Sequence, residues 1–296
     1  MPAVQFEEIQ CKSLINHVNA DMGFRWTINP YRGCQHACAY CFARGTHEYL
    51  GFNSGHDFQT RIVVKVNAPQ VLREELRRPG WRREHIAIGT ACDPYQQAEA
   101  RFHLTRQILQ ILCEHMNPFG LLTKSHLVVR DLDVLQDCAR VARIRVNFSV
   151  GTVNEEVWRK TEPGTPSPRK RLEALRTLAR AGIPAGIMLA PILPGLSDSR
   201  ESLEEVIRTA VEYGARSIAP VVLHLRPGSR EWFLPFLREA YPHLTPHYAK
   251  LYKGAYAPES YTMQVCETVE ELCQKWRLRK EPVLAETPKG QLALAL

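Results

Sequence analysis

No run of apolar residues in this chain approaches the ~20 needed to cross a bilayer as a helix. The most apolar stretch, residues 183–196, is cut by Pro184, Pro191 and Pro194. The N-terminal MPAVQFEEIQCKS has no basic segment running into an apolar one, so no secretory leader is read and the cytoplasm is the expected compartment, with no membrane partner. Internal repeats, low-complexity tracts and Gly/Ser linkers are also missing, which excludes fibrous and disordered classes. What remains is a chain of 296 residues, 45% hydrophobic and 23% charged, able to bury one large core or two modest ones.

Nine cysteines stand out against that background. Their number is odd, the chain is long and cytosolic thiols stay reduced, so a disulfide framework is not expected and another role is needed. Lysine and arginine number 38 against 31 acidic residues, a net charge of +7 with a pI near 9.0. That tilts toward anionic partners such as nucleic acid, phosphate-bearing metabolites or an acidic carrier. The basic residues look scattered (Arg73, Arg77, Arg78, Arg82 and Arg83; Arg169 to Arg171; Arg277 to Lys280), and solvated helix faces account for most such groups.

Short apolar, β-prone runs over 25–29, 85–89, 119–123, 144–150, 185–190 and 217–222 predict six strands. Helical patterns over 38–50, 102–116, 131–142, 169–181, 199–213 and 229–240 alternate with them. Six strand–helix units imply right-handed crossovers and a parallel sheet. Ser199 reads as an N-cap, and Gly182 and Gly214 as C-terminal glycines. A further helix is expected near 69–78 and another near 260–277, followed by a frayed tail after Lys280. The division that follows is a core over 1–245 and a helical appendage with its tail over 246–296.

The informative segment runs from Asn29 to Arg44 and places Cys34, Cys38 and Cys41 at C-x3-C-x2-C, directly after the first predicted strand. Three thiolates in one loop can converge on one metal centre. A structural zinc site wants four ligands, for which His36 or Cys11 are the candidates, whereas a four-iron cluster on three thiolates keeps one iron open. The bland alternative is three core cysteines.

This spacing, with Tyr40 before the third cysteine, resembles the signature of radical S-adenosylmethionine enzymes. The resemblance implies a [4Fe–4S] cluster on Cys34, Cys38 and Cys41. It also implies S-adenosylmethionine on the open iron, cleaved to a 5′-deoxyadenosyl radical, and an electron donor such as flavodoxin or ferredoxin. The implied fold is α/β, a partial open (β/α)6 parallel barrel with its chemistry at the carboxyl ends of the strands.

A narrower resemblance covers most of residues 25–225. The phrases Asn29-Pro30-Tyr31-Arg32-Gly33-Cys34, Gly89-Thr90, Asp93-Pro94-Tyr95-Gln96, Thr123-Lys124-Ser125, Glu162-Pro163-Gly164-Thr165-Pro166 and Ala190-Pro191-Ile192-Leu193-Pro194-Gly195 are similar to the DNA repair photolyase-like branch, relatives of spore photoproduct lyase. By that resemblance Lys124 meets the carboxylate of S-adenosylmethionine, Ser149 its ribose, and Tyr40 lies near the adenine. Thr90 and Ala190 complete the expected site. Lys124 and Ser149 read equally well as a loop cation and a strand-end hydroxyl. The position that carries a hydrogen-donating cysteine in the spore lyase holds Thr90 here. Cys92 and Tyr95 are therefore the expected hydrogen donors at the end of strand two, with a buried packing thiol as the alternative for Cys92.

Other residues carry plainer readings. Cys113 and Cys138 are packing residues on helices. Cys266 and Cys273, seven apart on one helix, are too far apart along its axis for a single ion. His36, His47, His56, His224, His243 and His247 have no metal-binding spacing, and the sequon at Asn147 falls on a predicted buried strand. The expected activity is that of a radical enzyme, lyase-like or hydrogen-abstracting. A nucleic acid or nucleotide is its leading substrate class and a peptide or protein the second. The rival of another class is a zinc-containing nucleic-acid-binding module.

Overall fold

The computed structural model describes residues 3–18 and 23–278. The strands are β1 (Gln5–Ile9), β2 (Ile15–His17), β3 (Trp26–Ile28), β4 (Tyr31–Arg32), β5 (Arg61–Lys65), β6 (Ile86–Ile88), β7 (Phe119–Thr123), β8 (Ile144–Ser149), β9 (Ala185–Ile192) and β10 (Ile218–Val222). The helices are α1 (Asp57–Thr60), α2 (Ala68–Leu76), α3 (Glu99–Phe102), α4 (Leu104–Glu114), α5 (Leu132–Val141), α6 (Glu155–Thr161), α7 (Pro168–Arg180), α8 (Arg200–Glu212), α9 (Ser229–Ala240), α10 (Thr245–Leu251) and α11 (Glu259–Lys275).

The six expected strands are all present and lie side by side in chain order, β3-β6-β7-β8-β9-β10, every neighbouring pair parallel. The antiparallel β2 is added beside β3. The sheet does not close, and β10 and β2 are its edges. Side chains alternate between its faces. One face buries Ile28, Ile88, Leu121, Phe148 and Leu189 against Leu72, Leu109, Leu135, Leu175 and Ile207 of the surrounding helices, forming the main core. The other face mixes small and polar residues with a few apolar ones: Thr27, Ala87 and Gly120 stand level on neighbouring strands, as do Leu122, Asn147 and Gly186, and Ser149 and Met188.

A second sheet, β1-β5-β4, was not legible in the sequence. β1 is largely exposed and has no apolar run, and β4 is two residues long. The helix α6 was also unforeseen, although Asn154 caps it by accepting from the Glu156 and Val157 amides at 2.9 and 3.1 Å.

Two expected helices differ from the sequence reading. Residues 38–43 are turns, and helical structure begins only with a 3-10 segment, Arg44–Leu50. Ala37 lies in the left-handed region (φ 54°), and the Ala39 amide donates to Thr161 O rather than within the loop, so the chain cannot wind regularly there. The helix expected over 102–116 breaks at His103, also left-handed (φ 53°), into α3 and α4.

Near the C-terminus, α10 packs Tyr248 into a cluster with Tyr40 and Phe233. α11 buries Val265, Val269 and Leu272 in the main core. The tail expected after Lys280 lies outside the described residues. No helix among the described residues is long and apolar enough to cross a membrane.

Gly89 ends β6 with φ 91°, and a Cβ built there would lie 2.4 Å from Leu122 O on the neighbouring strand. Gly182 has φ 82° but open space around it. Gly182→Ala is expected to cost about 1–2 kcal/mol, the backbone penalty alone. Gly89→Ala adds overpacking and should cost about 3 kcal/mol or more. Urea midpoints of the two variants check the difference; equal losses would contradict it.

Candidate active site

The cysteine loop is held by hydrogen bonds from three sides. Gln96 donates to Gly33 O at 3.0 Å and accepts from the Gln35 amide at 3.0 Å. Opposite it the Gly164 amide donates to His36 O at 3.1 Å, and a Cβ at Gly164 would lie 2.3 Å from Gln35 O, so the close approach requires glycine. Below, the fully buried Arg44 guanidinium donates to Cys38 O, Gly55 O and Ser54 O and lies over the Trp232 ring at 4.4 Å.

All three thiols are thereby held in one buried region. Burial pushes the Cys34 thiol up, and Asp93, Cys38 and Cys41 push it further. Cys38 is pushed up to about 12, chiefly by burial and against the pull of Lys124, and Cys41 is raised by burial. Without a cation the three stay protonated, and a metal centre that displaces those protons suits this donor set. Among the described residues no three histidine, cysteine or acidic side chains close on a single ion. His36, the first candidate for a fourth zinc ligand, sits with Nδ1 3.3 Å from Asp93 Oδ2. Cys11, the second, lies on another part of the molecule, where its backbone is bonded to Asn67. Three thiols and no fourth ligand fit a cluster in which each sulfur holds its own iron.

Beside the loop lies a buried polar network that unites four of the expected residues. The Lys124 ammonium donates to Ser149 Oγ at 2.7 Å and Glu162 Oε1 at 3.1 Å, 5.4 Å from the Tyr40 ring centre. Ser149 Oγ donates to Ala190 O at 2.7 Å. The Tyr40 hydroxyl also donates to Glu162 Oε1.

Two members of the network were missed in the sequence. Glu162 accepts from Arg171 through its other oxygen, and Arg171 also donates to Ser149 O at 2.8 Å and Thr165 Oγ1 at 2.6 Å. Burial alone would raise Glu162, but Arg171 and Lys124 hold its carboxyl well below the usual range. Arg171 had been grouped with Arg169 and Lys170 as a solvated cluster, yet its side chain is fully buried while those two are exposed. The usable signal was helical phase: Arg171 is followed by Leu172, Leu175 and Leu178 on the buried face of α7.

The end of β6 departs from the sequence reading. Thr90 stays near the expected site, sharing hydrogen bonds with Thr27 (2.5 Å) and Asn29 (3.1 Å). Cys92 and Tyr95, the expected hydrogen donors, are turned elsewhere. The Cys92 thiol donates to Tyr31 O at 3.0 Å within an apolar cluster of Tyr31, Ile62, Val64, Ala98 and Leu104, and burial pushes it up to about 12. The Tyr95 hydroxyl donates to Asp131 at 2.9 Å in a buried network with Arg130 and Arg106. The residue between them, Asp93, is the one directed at the site. It accepts from Thr123 Oγ1, the Lys124 amide and the Tyr95 amide at 2.7, 2.6 and 2.9 Å, and faces His36.

The plainer readings have simple locations. Cys138 is buried in the main core beside Cys113. His47 bonds Arg61 O at 3.0 Å, and Asn147 is buried on β8.

The profile of the radical SAM superfamily matches residues 28–210. An uncharacterized protein of Mycobacterium tuberculosis (strain ATCC 25618 / H37Rv) is 44% identical over 278 residues, covering 93% of this chain and 82% of the relative. The radical SAM Nalpha-GlyT isomerase of Pseudomonas phage M6 is 27% identical over 168 residues, 56% of this chain and 33% of its own length. Among solved structures, a spore photoproduct lyase variant with bound AdoMet and dinucleoside spore photoproduct matches with a TM-score of 0.69 at 16% identity, covering 92% of this chain and 79% of that one. The chain belongs to the radical SAM superfamily. It is a radical SAM enzyme, of a family whose members use a [4Fe–4S] cluster and S-adenosylmethionine, with a fold like that of the spore lyase.

Removing one partner of a buried ion pair leaves a charge uncompensated. Arg171→Met is therefore expected to cost about 3–5 kcal/mol in urea unfolding. A loss below about 1 kcal/mol would show that Glu162 does not need Arg171.

Proposed function

We propose that Cys34, Cys38 and Cys41 hold the cluster and that Lys124, Ser149, Ala190, Tyr40 and Thr90 form the S-adenosylmethionine site beside it. The observation that carries this reading is the convergence beside the cysteine loop of Lys124, Tyr40, Ser149 and Ala190, joined through Glu162 in one hydrogen-bonded network. The Lys124 ammonium suits the carboxylate of such a ligand. Lys124, bonded to Ser149 and Glu162 and partly exposed, is the cation that serves it, since Arg171 is fully buried and committed to Glu162, Thr165 and two carbonyls. Ser149 Oγ and Ala190 O offer a polar strand end for a ribose.

When bound, the reduced cluster supplies the electron that cleaves S-adenosylmethionine to methionine and a 5′-deoxyadenosyl radical. The protein's part is positional. Gln96, Gly164 and Arg44 fix the loop. Asp93 ties it to the strand end that carries Lys124. The electron would come from a small carrier such as flavodoxin or ferredoxin. Nine free thiols suit a reducing compartment such as the cytoplasm.

The substrate is a nucleic acid or nucleotide. The dinucleoside bound by the structurally similar lyase and the net charge of +7 support this class. Thymine-dimer repair with a cysteine hydrogen donor does not fit, because by the resemblance Thr90 stands in the donor's place and the Cys92 thiol is bonded to Tyr31 O in a separate apolar cluster.

Anaerobically reconstituted protein is expected to be brown and to contain iron and sulfide. Cys34→Ala, Cys38→Ala or Cys41→Ala should each abolish both the cluster and reductive cleavage of S-adenosylmethionine, measured as 5′-deoxyadenosine. Retained cleavage in any one of them overturns the cluster assignment.

Lys124→Ala should weaken S-adenosylmethionine binding by about 2 kcal/mol, the scale of a charge-assisted hydrogen bond, with iron content unchanged. Equilibrium binding to the reconstituted variant checks this, and unaltered affinity removes Lys124 from the site.

A further inference from the structure

In a parallel sheet the residues that precede the strands gather at one end, opposite the carboxyl ends that bear Lys124 and Ser149. Arg25 precedes β3, Arg82 and Arg83 stand before β6, Arg143 before β8 and Arg216 before β10. All five are exposed. Those four strands run across the parallel part of the sheet, five inter-strand spacings from β3 to β10. At ~4.8 Å per strand the arginines are spread along about 24 Å. Arg82 and Arg83, which look scattered in the sequence, therefore share one face with Arg25, Arg143 and Arg216.

Helix electrostatics do not account for them. Helix carboxyl ends point to this face and favour cations in their last turns, which explains Arg140 and Arg180. The five strand-preceding arginines lie outside helices. Among the described residues, Glu84 is paired with Arg25 at 3.9 Å, Glu114 with Arg73 at 3.1 Å, Asp137 with Arg140 at 2.7 Å and Glu212 with Arg208 at 3.0 Å, so the acidic groups at these strand and helix ends are engaged by arginines other than Arg82, Arg83, Arg143 and Arg216. Each of these positions is arginine and none is lysine, the choice that matches phosphate with a planar fork.

The mount of the central pair is stiff. In the segment joining α2 to β6, Trp81 Nε1 donates to Asn117 Oδ1 at 2.7 Å and its ring packs edge-on against Trp26 at 5.4 Å. Two residues on, Arg83 adopts a left-handed backbone (φ 53°), unusual for a residue with a side chain. Charges presented on an ordered segment lose little freedom when they bind.

We propose that this end of the sheet, through Arg82, Arg83, Arg143 and Arg216, is a docking face for the phosphate backbone of a nucleic acid, separate from the catalytic end. Some 24 Å of duplex carries about fourteen phosphates, enough to meet these guanidinium groups at once. The proposal builds on the nucleic-acid reading above by giving the polymer a second point of attachment; its test is independent of S-adenosylmethionine chemistry.

The test uses the reconstituted enzyme and the variant Arg82→Gln/Arg83→Gln/Arg143→Gln/Arg216→Gln. Fluorescence anisotropy follows binding to a labelled duplex of about 24 base pairs and to a single strand of equal length, across a salt series. The variant should lose about tenfold or more in affinity at moderate salt, and the slope of log K against log salt should fall by about three to four. Its thermal melt and its cleavage of S-adenosylmethionine without substrate should match wild type. Binding by both strand forms, or a preference for one, supports the face and tells which form it takes. Wild-type affinity and slope in the variant overturn it, as does wild-type binding to anionic lipid vesicles with none to either nucleic acid. Nucleic-acid binding that persists in Lys124→Ala while S-adenosylmethionine binding is lost supports the face, and shows that it stands apart from the cofactor site.

Discussion

The buried carboxylate of Glu162 is the interaction on which the arrangement of the site depends. A carboxylate removed from water is costly unless it is paired and hydrogen-bonded. Both oxygens of Glu162 are satisfied, one by Tyr40 and Lys124, the other by Arg171 and Thr165. Those partners come from the cysteine loop, the end of β7, α7 and the segment before α7. The position of Lys124 relative to the thiols is thus set by one charge that has to be neutralised. Arg171 adds a bond to Ser149 O, which extends the same constraint to β8.

Asp93 is a second junction of the same kind. It takes donors from Thr123, Lys124 and Tyr95 and faces His36, joining the cysteine loop to the ends of β6 and β7. Burial would raise its pKa, but the approach of His36 and the hydrogen bonds to it lower it, so the charged form is the one the fold supports. Two buried carboxylates, both bonded to Lys124 and each meeting a residue of the loop, therefore do the positioning that three flexible thiols cannot do for themselves.

The parallel sheet separates the molecule's electrostatics by end. Strand carboxyl ends carry the buried, mutually neutralising groups of the site, and strand amino ends carry exposed arginines. Between them the inner face includes small residues such as Ala87, Gly120 and Gly186, and the outer face carries the branched and aromatic core. The same alternation of side chains along each strand thus produces a packed side that stabilises the fold and a second side that ends in Ser149 and Ala190 of the site.

Local pattern determined much of this protein. Six apolar runs located six strands, most within one or two residues, because burial against helices demands a continuous apolar stretch in a parallel strand. The spacing of Cys34, Cys38 and Cys41 marked the loop because three thiols so close in sequence can scarcely avoid being close in space. Only the tertiary structure decided which way side chains near the strand ends would point. Cys92 and Tyr95 are neighbours of Asp93 in sequence, yet their side chains pack into separate buried clusters while Asp93 turns to the loop. It also decided which of three consecutive basic residues, Arg169 to Arg171, would be buried, and brought together arginines far apart in the chain. Such outcomes depend on partners distant in sequence, such as Glu162 against Tyr40 and Asp93 against His36. Long-range packing fixes these pairings, and a local pattern carries no record of them.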